Sequence, residues 1–173
     1  YVVIINSNAG LWGYNIGDCV RFISLDPYRL LVTGRVKHFI SAFGEHVIGK
    51  EVEEAMLYAT EKTGAKIVEF TVAPQVLPPD GQAPYHEWFI EFDTMPSDVL
   101  KFCSLLDEKL REENIYYEDL RKGNILQNLK ITSLQKDAFR EYMRSQGKLG
   151  GQNKVPRLSN DRKIADDLSK YIF

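Results

Sequence analysis

No helical period appears in this chain before about Gly49, and from Lys50 onward helical and strand patterns alternate. That break limits the fold more than any other feature. A leading stretch that can form only strands must be followed by a segment that mixes both element types, an α+β pattern. Tyr1 to Asn6 reads as a short buried strand, stopped by the Asn6-Ser7-Asn8-Ala9-Gly10 cluster. Cys19 to Leu25 and Tyr28 to Val32 are two further strand-like runs, parted by the turn signal Asp26-Pro27. Val36 to Phe43 and Glu45 to Ile48 predict a second hairpin turning near Gly44.

The helical half is equally explicit. Val52, Ala55, Met56 and Ala59 recur at helical spacing between Lys50 and Thr63, and Gly64 stands where a C-terminal cap belongs. Ala65 to Ala73 predicts a strand, and the proline-rich segment Pro74 to Pro84 a loop. His86 to Phe92 predicts the returning strand, with Trp88, Ile90 and Phe92 on one face and Glu87 and Glu91 on the other. Ser97 to Glu113 carries an apolar stripe of Val99, Phe102, Cys103, Leu106 and Leu110. Leu129 to Leu134 predicts a third strand, Lys136 to Ser145 a short helix and Asn160 to Tyr171 a closing one. The expected division falls between residues 1–34 and 35–173.

Composition removes several function classes. Lys plus Arg is 22 against 24 Asp plus Glu, a net charge of −2, which argues against a basic protein that coats nucleic acid or anionic membrane. The longest apolar runs are far below the roughly 20 residues needed to span a bilayer. Cys19 and Cys103 are too few for a disulfide framework or structural zinc site, which fits a reduced, cytoplasmic setting. His38, His46 and His86 lack metal-ligand spacing, so no metal site is expected. A chain that opens in the apolar run Tyr1-Val2-Val3-Ile4-Ile5 reads as part of something longer.

Three clusters have the residue types of a site, and each has a plain structural reading that leads when it is taken singly. In Leu11 to Asp18, Gly13 and Gly17 allow a tight backbone beside a ligand, and Asp18 can accept hydrogen bonds from paired sugar hydroxyls; the plain reading is a glycine turn with a polar stop. In Thr33 to Glu45, Arg35 follows a strand and a glycine and can bind ribose or phosphate; the plain reading is a hairpin with solvated Arg35 and Lys37. In Lys148 to Arg157, Lys148, Lys154 and Arg157 surround Gly150-Gly151, and a mobile lysine suits charge developing on a phosphate; the plain reading is a solvated connector. Glu87 and Glu91 invite a general-base role, but a polar outer face is the simpler expectation. Phe70, Trp88, Phe89 and Phe92 are expected in the core, and Tyr116-Tyr117 in helix packing.

The order of these clusters carries more information than any one of them. Tyr14-x-x-Gly17-Asp18, then Gly34-Arg35, then a late glycine-rich lysine loop resembles the adenylate-forming superfamily. Tyr14 to Val20, His86 to Phe92, Asn114 to Arg121 and Gly151 to Leu158 are further similar to the C-terminal part of the auxin-responsive Gretchen Hagen acyl-acid amido synthetases, in a bacterial-type member. These enzymes activate a carboxylic acid as its acyl-adenylate and pass the acyl group to an amino acid. The resemblance implies a C-terminal lid domain, a mixed β-sheet flanked by helices, preceded by the last strands of a large adenylation domain. It implies ATP and Mg2+ in the whole enzyme, the missing N-terminal domain as partner, and an inactive segment when isolated. By position, Asp18 matches the ribose-binding aspartate, Arg35 the second nucleotide contact and Lys154 the adenylation lysine. Tyr14 would pack beside the nucleotide, and Lys37 is the hinge candidate. Asn153 stands where plant members carry an aromatic, which leaves Lys148 open as the alternative lysine. An acyl-CoA ligase-type domain and a non-catalytic binding module are the rival functions.

Overall fold

The structure of the protein is a computed structural model that describes residues 1–35, 39–148, 150 and 153–173, with Arg35 described through its backbone. Strands β1 (Val2–Ile5), β2 (Tyr14–Leu25) and β3 (Tyr28–Arg35) form an antiparallel sheet in that order. β2 and β3 are longer than the apolar runs predict. The Tyr14-to-Asp18 motif lies inside β2, not in a turn ahead of it, because the register absorbs extra residues there. Val2 pairs with Cys19 and Ile4 with Asn15, so two steps along β1 span four along β2. Gly17, at φ 81°, supplies the backbone conformation this irregularity needs.

The expected second hairpin is found as a shorter pair, β4 (Phe39–Ile40) and β5 (Val47–Ile48), with Phe39 opposite Ile48 and Ile40 opposite Val47, while Val36 to His38 of its predicted first strand lie outside the described residues. Helix α1 (Gly49–Thr63) buries the predicted Val52, Ala55, Met56 and Ala59 and ends on left-handed Gly64 at φ 71°. Strands β6 (Lys66–Gln75), β7 (Tyr85–Thr94) and β8 (Lys130–Leu134) form the second sheet with β7 central. β6 and β7 are antiparallel and joined by the proline-rich loop. β7 and β8 are parallel, which requires a crossover. Helices α2 (Val99–Glu113) and α3 (Ile115–Lys122) make it. α3 is not among the expected elements, since Gly123 and Asn124 close it after two turns; Tyr117 is buried in the core as expected, whereas Tyr116 is exposed.

Helices α4 (Ala138–Ser145) and α5 (Lys163–Leu168), the latter followed by a 3-10 turn, complete the chain. They cover the sheet face that carries Glu87, Phe89 and Glu91. Ala73, Phe89, Leu134, Ala138, Phe139, Val155, Ala165 and Leu168 form a core there, distinct from the larger one of Trp88, Ile90, Phe102, Leu106 and α1 on the opposite face. The expectation of a solvated Glu87/Glu91 face is therefore corrected. Glu91 is buried, and its carboxylate accepts from the N–H groups of Asp137 at 2.8 Å and Phe139 at 3.1 Å, capping α4. Glu87 accepts from Thr132 Oγ1 at 2.6 Å and Arg162 Nη2 at 2.8 Å. Both carboxylates hold elements together, and neither is placed as a base. Phe70, Trp88 and Phe89 are buried and Phe92 packs against the larger core, as expected. Among the described residues no helix is long and apolar enough to cross a membrane.

Candidate functional site

Asp18 and Arg35 are 17 positions apart in sequence and stand directly opposite each other in the β2–β3 ladder. The antiparallel hairpin therefore joins two of the sequence-nominated residues at one end of one strand pair. Asp18 is half-buried, and Tyr14, at the start of β2, is exposed. Lys37 lies outside the described residues, as do Gly151 and Gln152 of the lysine loop. A cleft of about 430 Å³ separates β3 from α1, lined by Thr33, Gly34, Lys50, Glu53 and Arg157.

The lysine loop has two mechanically different parts. Its end is a strand addition: Thr71 Oγ1 donates to the Pro156 carbonyl at 2.7 Å, Val72 N–H to the Arg157 carbonyl at 2.9 Å, and Ser159 N–H to the Val72 carbonyl at 3.0 Å. Arg157 is not a free cation. It pairs with Glu69, reaches Glu53 Oε1 at 3.2 Å and the Phe70 carbonyl at 3.2 Å, and lies 4.6 Å over the Phe70 ring. The plain reading of a solvated connector is thus corrected for residues 155–159. Lys154, one residue before this stitched segment, is exposed, as is Lys148. Both line a cavity of about 670 Å³ between α4 and α5, with Tyr142, Met143 and Ile164 on its apolar side and Asp167 among its acids.

Sequence reasoning missed a second constellation, on the turn between β4 and β5. Ser41 Oγ lies 2.7 Å from His46 Nδ1, and the Phe39 ring stacks on the imidazole at 5.1 Å and 19°. His46 holds φ 49°, in the left-handed region uncommon for residues other than glycine. Beside it Glu45 is fully buried, with Oε1 2.8 Å from His86 Nε2 and Oε2 accepting from Phe43 N–H at 2.8 Å. Burial pushes the Glu45 carboxyl up, but the hydrogen bond and charge of His86, with the backbone N–H bonds, outweigh it and leave the group below its ordinary value. The faint sequence signal was Gly44-Glu45-His46 at a predicted turn; spacing does not tell which of the two side chains turns inward.

Among the described residues no group of three or more His, Cys, Asp or Glu could hold a metal ion. A small α+β domain with a doubly covered sheet and an exposed lysine at the start of an edge segment is the class this architecture defines. Residues 50–163, more than half of the chain, match the profile of the GH3 family C-terminal domain, and the chain belongs to that family. Among solved structures, its fold is similar to that of "GH3.15 acyl acid amido synthetase", with a TM-score of 0.79 at 18% identity over 100% of this chain and 33% of that one. "AtGH3.15 acyl acid amido synthetase in complex with 2,4-DB" gives a TM-score of 0.74 at 17% identity over 100% of this chain and 32% of that one. The chain spans about a third of the length of these proteins, and at such identities the likeness concerns the fold. No curated protein sequence matches it.

Proposed function

We propose that the chain acts as the C-terminal lid, with the strands that precede it, of a bacterial-type ATP-dependent acyl-acid amido synthetase. In this reading residues 1–34 close the large adenylation domain and residues 35–173 form the lid, with the hinge near Lys37. The observation that carries the proposal is the pairing of Asp18 with Arg35 across β2 and β3. One strand pair thereby carries both residues at the same end, the aspartate assigned to the ribose hydroxyls and the arginine assigned to the nucleotide, and the exposed Tyr14 lies on the same strand as Asp18. The exposed apolar residues of β1 to β3 suit a sheet that an upstream domain covers.

In the first half-reaction a substrate carboxylate oxygen attacks the α-phosphorus of ATP, and the bond to pyrophosphate breaks. Lys154, or its neighbour in the cavity Lys148, supplies positive charge to the phosphate oxygens as negative charge builds. In the second, the lid rotates and an amino-acid amine displaces AMP from the acyl carbon. Mg2+ would accompany the ATP phosphates and offset part of their charge.

Pyrophosphate release by the full-length protein, with ATP, magnesium and a panel of carboxylic acids, tests this. Acid-dependent release that rises with pooled amino acids supports amide synthesis. A rise with coenzyme A alone transfers the assignment to an acyl-CoA ligase, and no acid-dependent release removes the enzyme reading. Within it, Lys154→Ala is expected to slow single-turnover adenylation by about 10²-fold while sparing transfer from preformed acyl-adenylate. Equal loss in both steps would sink the role given to Lys154.

A further inference from the structure

We infer that His46 is the general base of the acyl-transfer half-reaction and that Ser41 is its positioning residue; the inference rests on the amide-synthesis reading above. An exposed imidazole ordinarily samples several rotamers, but this one is held on three sides. Ser41 Oγ contacts Nδ1 at 2.7 Å, the Phe39 ring stacks on one face, and the backbone is kept at φ 49°. The strained backbone cannot relax, because Glu45 is pinned to His86 in the core and Asn114 Nδ2 reaches the His46 carbonyl at 3.5 Å. The Ser41 hydroxyl donates to a bare Nδ1 or, rotated, accepts from Nδ1–H. The contact therefore survives while Nε2 takes up a proton.

Placement assigns this pair to the second half-reaction. Ile40 and Val47, flanking the turn, belong to the core on the α1–α2 side of the β6–β7–β8 sheet, whereas Val155, next to Lys154, belongs to the core on the α4–α5 side. The base candidate and the adenylation lysine thus hang from opposite sides of one sheet. A rotating lid that offers Lys154 in one pose offers a different surface in the other, and the β4–β5 hairpin follows directly after the proposed hinge in sequence. The two sides are joined through Asn160, whose Oδ1 accepts from Ser41 N–H at 3.0 Å.

The chemistry balances without any further reactant. An amino acid arrives as an ammonium ion, and His46 Nε2 removes one proton to expose the lone pair. The nitrogen attacks the acyl carbon, and the carbon–oxygen bond to the phosphate breaks with its electrons going to AMP. The second N–H proton leaves to solvent, as does the proton held by His46, which restores the base.

The experiment compares two nucleophiles on the acyl-adenylate of the full-length protein: an amino acid, which needs a base, and hydroxylamine, which is largely uncharged at neutral pH and needs none. The variant is His46→Asn, since asparagine tolerates positive φ. The expected result is a fall of about 10²-fold in kcat for the amino acid with its KM little changed, while hydroxylamine capture and ATP–pyrophosphate exchange stay within about twofold. Ser41→Ala is expected to show the same pattern with a smaller loss, about tenfold. An equal loss with hydroxylamine would make the role structural, and an unchanged amino-acid rate would overturn the inference. Wild-type protein that exchanges pyrophosphate yet acylates no amino acid overturns the amide reading itself, and the inference with it.

Discussion

The two main sheets are built from similar apolar sequences and meet opposite fates. In residues 1–35 only Val20 is buried among the described side chains, and Ile4, Ile23, Leu25, Leu30 and Val32 each remain more than half exposed. In β6 to β8, Phe70, Val72, Trp88, Phe89 and Ile90 are all 3% exposed or less. The difference does not lie in strand propensity, since both sheets are rich in β-branched and aromatic residues. It lies in the elements packed on each sheet. The second sheet carries its own helices on both faces, and the first is a meander with no helix of its own to lay over it. A sheet is worth what covers it, and the candidate chemistry divides along the same line. Asp18 and Arg35, proposed for the nucleotide, belong to the open sheet, whereas Lys154 directly precedes the segment added to the edge of the covered one and His46 sits on the turn of the separate β4–β5 hairpin.

The comparison breaks first if equal truncations cost the same in both regions. Trp88→Ala, which removes a fully buried ring stacked on Phe70 at 5.7 Å, is expected to cost about 3–5 kcal/mol in urea unfolding. Leu30→Ala, at 52% exposure in β3, is expected to stay within about 0.5 kcal/mol. Comparable losses would mean that the open sheet is not open in solution. A smaller effect tests the covered outer face. Glu91→Ala takes away two buried acceptor contacts at the start of α4 and is expected to cost about 2 kcal/mol, with hydrogen exchange rising in α4 before α1. No change there would return Glu91 to the solvated face that strand alternation suggests.

The mildest effect is in acid. Glu45 is held below its ordinary value of 4.5, so the stability it contributes is complete above that pH and is lost as pH falls through its lower folded value. Melting temperature recorded downward from about pH 5 should therefore drop less steeply in Glu45→Gln than in the parent chain. A parallel acid limb would detach Glu45 from the core and loosen the restraint on His46.

Much of the fold was legible in the sequence, for identifiable reasons. The α1 stripe and its Gly64 cap depend on residues within one or two turns of each other, and they appear as read. The proline-rich loop and the β6–β7 pair arise from local turn chemistry in the same way. α3 escaped because eight residues bounded by Asn114 and Gly123 are too short for a distinct period. Of the candidate site, the nomination of Asp18, Arg35 and Lys154 came from the order of motifs, whereas the opposition of Asp18 and Arg35 is a matter of register. Ser41 and His46 escaped because neither residue type is diagnostic until a turn brings them within hydrogen-bond reach.

By itself, then, the amino-acid order determined the α1 stripe with its Gly64 cap, the proline-rich loop and the α2 stripe, since capping, turn formation and side-chain period act over a few residues. Tertiary structure alone decided which faces are covered and which polar groups meet. Strand alternation marks Glu87 and Glu91 as sharing a face, but only the return of α4 and α5, 46 positions or more along the chain, buries that face and turns its carboxylates into anchors. The same holds for Glu45 and His86, 41 positions apart and both fully buried. Burial is a property of the whole packed chain, and the worth of a charge depends on its burial far more than on its neighbours in sequence.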